Sequence, residues 1–240
     1  MKDKYTGDIG DYAKIILLNE LATVEKVNLG VNWYYNNREY GYEKKQLDGK
    51  HIDYLKSDKK GISDYEPNLY QKLIDITENN ARKVDSLFGF IKLDSNQHFK
   101  IDVPYKNRRK QWVNDSVEKL HSSNLIFLDP DNGICYNDKG GKVKHVLQSE
   151  IIDMYNSNKS LVIYNHRDRK TNTEYFDKFK AIAYKLNSKP NSVYILRASL
   201  NSVRDYVFYL HNSIQKEVED KLHEIVKVYP KLFTLQHLNL

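Results

Sequence analysis

Cysteine is nearly absent from this 240-residue chain, Cys135 being the only one. A single thiol rules out an intrachain disulfide and a zinc site built on a cysteine cluster. Long apolar runs are missing too: none approaches the roughly 20 residues that a membrane-spanning helix needs. The opening residues, Met-Lys-Asp-Lys-Tyr-Thr-Gly-Asp, lack the apolar core of a signal peptide. No internal repeat, domain linker or low-complexity basic tail is visible. Disulfide scaffolds and helical membrane proteins are thereby set aside, and a cytoplasmic protein is the expectation.

What is present fits a folded chain. Apolar residues make up 40% and charged residues 29%, the balance of a globular protein, and the length suffices to bury a real core. A single α/β domain over 1–240 is expected, with a helical or loop insertion around 36–83. The net charge of +6 and a pI near 9.0 favour phosphate-bearing partners, nucleic acid first among them.

The most informative stretch runs from Asn124 to Gly133. Leu125, Ile126, Phe127 and Leu128 form an apolar run too short for a helix and suited to a strand buried on both faces. It stops at Asp129-Pro130, and Asn132-Gly133 reads as a turn. Open α/β sheets put their chemistry where buried strands end, here at two carboxylates and an amide. The plain alternative is a polar turn that only ends a strand.

Elsewhere, Gly7-Asp8-Ile9-Gly10-Asp11 precedes a helical pattern over 12–26. Its glycines permit close backbone approach and its free N–H groups attract anions; an ordinary helix cap is the alternative. Residues 29–35 read as a strand. The polar segment 36–58 reads as a loop with a turn at 48–51, where His51 and Asp53 are possible site residues. A helix is expected over 64–80, and strands over 84–93 and 99–103. Lys106, Arg108, Arg109 and Lys110 form a basic cluster before Trp112, which either stacks a base or anchors a helix core. After a loop with Gly140-Gly141, a short helix is expected over 147–155 and a second buried strand over 160–165. That strand ends at His166-Arg167-Asp168-Arg169. A helix over 173–186, strands over 193–196 and 206–210 joined by a polar link, a helix over 215–229 and a last extended segment over 232–238 complete the chain.

From Asn124 the order is strand, helix, strand, helix, strand, strand. It implies right-handed crossovers and a Rossmann-like, largely parallel sheet flanked by helices, with an antiparallel closing pair at one edge. This order resembles the second half of a Rossmann-like methyltransferase. The amino-methyltransferases of that fold carry Asp-Pro-Pro-Tyr or a relative after the fourth strand. There a carboxylate or amide and a backbone carbonyl accept hydrogen bonds from the target amine, and the aromatic stacks on a flipped base. Asp129 and Pro130 match; Asp131 replaces the second proline and Asn132 the aromatic, with Tyr136 a little further on. Gly7-Asp8-Ile9-Gly10-Asp11-Tyr12-Ala13-Lys14 is similar to the pattern opening the first helix of the bacterial 23S ribosomal RNA adenine-N6 methyltransferases, with Gly7, Asp11 and Lys14 matching. The usual glycine-rich turn after the first strand is missing: Asn36-Asn37-Arg38 stands there.

The resemblance implies an S-adenosylmethionine-dependent methyltransferase-like protein acting on a nucleic-acid base amine. Asp129, Pro130, Asp131 and Asn132 would form the catalytic turn, and Gly7, Asp8, Gly10, Asp11 and Lys14 the cofactor side. Lys106, Arg108, Arg109, Tyr136, His166, Arg167 and Arg169 would face the substrate. Methyl transfer draws mostly on positioning. One alternative is a phosphodiesterase or nuclease holding Mg2+ between Asp129, Asp131 and Asp11 or His166, with Arg167 and Arg169 on the phosphate. Another is a non-catalytic nucleotide- or nucleic-acid-binding protein on the same fold.

Overall fold

The computed structural model describes residues 1–38, 52–58, 60–79, 82–136, 143–200 and 202–240. The turn expected at 48–51, with His51, and the glycines at 140–141 lie outside them. The elements, in chain order, are α1 (Ile9–Leu21), β1 (Leu29–Asn32), α2 (Asp53–Lys56), α3 (Pro67–Glu78), β2 (His98–Phe99), α4 (Arg109–Lys119), β3 (Leu125–Leu128), β4 (Ile134–Cys135), β5 (Val146–Leu147), α5 (Gln148–Asn156), β6 (Ser160–His166), α6 (Asn172–Ala183), β7 (Ser192–Ser199), β8 (Val203–Tyr209), α7 (Asn212–Val228) and β9 (Phe233–Asn239).

Seven strands form one mixed sheet in the order β2-β1-β3-β6-β8-β7-β9. β2, β1, β3 and β6 run parallel; β8 is antiparallel to both its neighbours, and β9 is antiparallel to β7. The fold is thus α/β with a mostly parallel sheet. β3 carries the logic of the core. Leu125 and Phe127 join the apolar cluster on one face, with side chains of α1, α3 and α7. Ile126 and Leu128 join the cluster on the other face, with α4, α5 and α6. All four are 0% exposed, and burying each contributes about 1.5–3 kcal/mol. Residues of the 36–83 segment take part as well: Tyr54, Leu69 and Leu73 sit in the cluster around α1.

Four expectations need correcting. Residues 84–93 do not form a strand: Val84–Phe90 is a 3-10 helix whose buried residues are Val84 and Leu87, three apart as that helix requires. The strand expected over 99–103 is only His98–Phe99. The closing pair does not lie at the sheet edge. β8 is inserted between β6 and β7, leaving the edge to β9; its fully buried Val207, Phe208 and Tyr209 pair with a strand on each side, which satisfies the backbone groups that burial takes from water. The supposed link between those strands is mostly strand: Arg197 and Asp205 are register partners, and opposite charges paired across a ladder are favourable.

Candidate functional site

β1 has β2 on one side and β3 on the other. The chain therefore reverses its winding direction there, and α/β sheets bind ligands outside the carboxyl ends of strands at such a point. Asp129 leaves β3 at that rim, its N–H still donating to the Asn32 carbonyl at 3.0 Å. The turn that follows is fixed by its backbone. Asn132 N–H donates to the Lys144 carbonyl at 2.8 Å, and Val146 N–H to the Gly133 carbonyl at 3.1 Å. Gly133 has φ +80°, and a Cβ there would come within 2.1 Å of Asn165 Oδ1, an atom that accepts from Ile134 N–H at 2.9 Å. Only glycine fits both conditions.

Beside this turn lies a cavity of about 200 Å³. Asp129, Pro130, Asp131 and Asn132 form one wall, and Asp8, Gly10, Asp11 and Lys14 from the start of α1 form another. Tyr164 and His166 of β6 and Arg204 of β8 close it, with Met1 and Tyr5 at the side. Lys14 joins the two walls. Its Nζ is 2.9 Å from Asp11 Oδ1 and 2.9 Å from Asp129 Oδ2, and it lies 5.0 Å from the Tyr164 ring centre. Burial alone would lower the Lys14 pKa, but the Asp11 and Asp129 carboxylates outweigh it and hold the ammonium well above its ordinary value. Lys14 is charged at any physiological pH.

The other polar groups are also set by burial. Tyr164 is pushed up to about 12 by desolvation, and its hydroxyl accepts from Arg204 Nε at 2.8 Å. Burial lowers His166 to about 3, with Arg204, His145 and Lys14 acting in the same direction. His166 is therefore neutral and a weak base. Asp131 turns inward, 2.9 Å from the Met1 amino group with its side chain 1% exposed. That contact is ionic only, since neither Asp131 oxygen accepts a well-directed hydrogen bond among the described residues. The same amino group donates to the carbonyls of Trp33, Tyr34 and Asp129.

Several expected site residues lie elsewhere. Gly7 takes φ +83° in the turn before α1. Its N–H donates to Asp11 Oδ2 at 2.8 Å, and a Cβ would meet Thr77 at 2.6 Å, so it packs against α3 and does not line the cavity. Arg109 leaves the basic cluster: it is 3% exposed and its Nε is 2.5 Å from Glu150 Oε1. Trp112 is a core anchor, its indole N–H donating to the Ile101 carbonyl at 3.1 Å. Tyr136 packs near Phe179, 6.2 Å between ring centres, and does not line the cavity. Arg167 spans its own loop, its guanidinium 4.0 Å from the Tyr175 ring centre and bonded to the Lys170 carbonyl. Arg108, Lys110 and Arg169 are exposed, Lys106 begins the 3-10 turn that contains Arg108, and Asp53 pairs with Lys56 at the surface of α2.

Tyr164 and Arg204 were not singled out from the sequence. The signal is non-local: only the antiparallel pairing of β6 with β8 sets Arg204 opposite His166.

The nuclease arrangement does not assemble. The Lys14 ammonium already stands between Asp11 and Asp129, where a magnesium ion would have to go. Among the described residues no group of three His, Cys, Asp or Glu side chains is placed to hold a metal ion. S-adenosylmethionine does not find a seat among them either. At the carboxyl end of β1, Trp33 and Tyr34 are 0% and 1% exposed. Their carbonyls are taken by the Met1 amine, and Tyr34 takes φ +43° where a glycine would open the backbone. The cavity also falls below the roughly 300–1,000 Å³ typical of drug-sized ligands.

No protein-family model matches the chain, and comparison with curated proteins finds no match. Among solved structures, protein LPL1258 from Legionella pneumophila strain Philadelphia 1, of family model DUF519, aligns over 97% of each chain at 15% identity with a TM-score of 0.42. A likeness that faint bears on neither substrate nor reaction. Among the described residues no helix is long and apolar enough to cross a membrane.

Proposed function

We propose that this chain recognises an amine-bearing nucleic-acid base in the cavity beside Asp129, on a methyltransferase-like fold, and that it works in the cytoplasm. The observation that carries the reading is the Lys14–Asp129 contact. Two segments that each resemble an amino-methyltransferase motif, 115 residues apart in the chain, meet at 2.9 Å in one cavity. Lys14 holds Asp129 through Oδ2, and Oδ1 accepts no hydrogen bond among the described residues. A carboxylate oriented by one oxygen and open at the other is a ready acceptor for an N–H donor. Pro130 stiffens the turn, and the Tyr164 ring walls the cavity.

S-adenosylmethionine-dependent methyl transfer to that amine is the second reading, favoured by the same meeting of motifs and opposed by the closed rim at β1. Isothermal calorimetry with S-adenosylmethionine separates the two: no heat is expected, and binding with methyl transfer to an oligonucleotide would install the second reading in place of the first. Asp129→Asn tests what they share. Asparagine keeps the shape and spares Lys14 the loss of its neighbour, whereas Asp129→Ala would leave a hole beside a buried ammonium. Asp129→Asn should weaken binding of adenine- and cytosine-containing oligonucleotides at least tenfold with little change in melting temperature. Unchanged affinity would defeat both readings.

A further inference from the structure

The cavity holds more acids than bases. Asp8, Asp11, Asp129 and Asp131 line it against Lys14, Arg204 and the Met1 amine, and His166 contributes no charge. Lys14 is already shared by two carboxylates. That balance disfavours a phosphate inside the cavity, so phosphate contacts would fall to positive charge elsewhere on the chain.

Part of that charge lies on the same rim, two strands away. Val103 N–H donates to the Tyr35 carbonyl at 2.8 Å, as Asp129 N–H does to Asn32. The segments after β1, β2 and β3 therefore share the carboxyl end of the sheet, and neighbouring strands are about 4.8 Å apart, which sets β2 roughly 10 Å from β3. On this rim Tyr105 is 58% exposed and Ile101 55%. The Arg38 guanidinium lies 5.2 Å from the Tyr105 ring centre, and Arg108 and Lys110 are exposed just beyond. Asp102 is the acid of this patch, and its carboxylate accepts from Asn37 N–H at 3.2 Å.

We infer that the ligand is single-stranded nucleic acid and not a free nucleotide: one base stacks on Tyr105, Arg38, Arg108 and Lys110 meet backbone phosphates, and a nearby amine-bearing base enters the acidic cavity. An exposed aromatic among cations is how single strands are held without sequence preference, and a duplex keeps its bases from stacking on it. The acidic cavity then supplies selection at one position, and the rim supplies affinity. The inference rests on the amine-pocket reading of Asp129.

Fluorescence anisotropy with a labelled mixed-sequence single strand, its duplex, and adenosine monophosphate as competitor tests it. Wild type should prefer the single strand, and the mononucleotide should compete poorly. Tyr105→Ala should weaken binding about fivefold or more. Arg108→Glu with Lys110→Glu should weaken it further and flatten its salt dependence. These side chains are exposed, so the variants keep the fold, which circular dichroism verifies. If Asp129→Asn abolishes binding while the rim variants do not change it, or if the mononucleotide competes as well as the strand, the inference falls and the pocket reading stands. If the rim variants weaken binding and Asp129→Asn does not, the pocket reading falls. No binding by wild type overturns both.

Discussion

Lys14 and Arg109 are both buried cations, 2% and 3% exposed, and both are paired with acids, yet their surroundings differ. Arg109 lies within the apolar cluster around α4 and α5. It meets Glu150 at 2.5 and 2.6 Å and the His145 carbonyl at 2.9 Å. Glu150 in turn accepts from the Tyr34 hydroxyl at 3.2 Å and Leu147 N–H at 2.9 Å. This pair ties α4, α5 and the end of β1 together. Lys14 instead stands in the wall of a cavity, beside a carboxylate with one oxygen unspent. A buried ion pair is by itself weak grounds for a functional site. The open space and the unspent acceptor distinguish the Lys14 cluster.

The largest expected effect follows from that contrast. Glu150→Ala leaves the Arg109 guanidinium buried without its acid and should cost about 3–5 kcal/mol in urea unfolding. The apolar double replacement Arg109→Met with Glu150→Leu should recover most of it, since filling such a site with matching apolar volume is often neutral. Lys14→Met should cost less, about 1–3 kcal/mol, because two neighbouring carboxylates beside a cavity can share a proton. A loss as large as that of Glu150→Ala would show the two sites to be alike and would weaken the case for a binding cavity.

A smaller effect is expected at the turn itself. Gly133→Ala forces a Cβ to within 2.1 Å of Asn165 Oδ1 at a positive φ, for about 1–3 kcal/mol. Asn165 is wired onward: its Nδ2 donates to the Tyr175 hydroxyl at 2.8 Å, that hydroxyl donates to Asp205 at 2.8 Å, and Arg197 holds Asp205 at 2.8 Å. Thermal melting measures the loss, and oligonucleotide binding should fall with it because Asp131 and Asn132 ride on the same turn. A Gly133→Ala variant that melts as wild type would mean the turn adapts freely and does not fix the cavity.

How much of this was legible in one dimension depended on locality. β3 announced itself by four consecutive apolar residues, and its polar exit lines the cavity at the rim of the sheet. Lys14 came only through its motif: α1 is buried from Ile9 through Leu18, so no polar face sets it apart. Arg109 was grouped with its charged neighbours, yet the signal was there. Arg109, Trp112, Val113 and Ser116 are the buried residues of α4, at i, i+3, i+4 and i+7 of a helix. Adjacency in sequence outweighed period, and period was right. Arg204 and Tyr164 had no such signal, because the insertion of β8 between β6 and β7 is decided by packing over the whole sheet.

A last expected effect concerns a buried titratable group with no acid in contact with it. His98 is 6% exposed and stacked on Phe88, with 4.1 Å between ring centres. Its Nδ1 lies 3.2 Å from the Trp33 indole nitrogen, which donates to it, and its Nε2 has no hydrogen-bond partner among the described residues. Burial lowers its pKa to about 4, with Asp85 pulling weakly the other way, whereas an unfolded histidine titrates near 6.5. Between those values the unfolded chain binds the extra proton. The stability His98 confers is therefore complete above about pH 6.5 and drains away as pH falls towards 4, by about 3 kcal/mol. Urea midpoints between pH 7 and pH 4.5 should drop more steeply for wild type than for His98→Asn, which keeps an acceptor for Trp33 but cannot titrate. Parallel slopes would place the acid sensitivity elsewhere. Lys14, held charged by the Asp11 and Asp129 carboxylates, should contribute no such slope near neutrality, because pairing fixes a charge state that burial alone would undo.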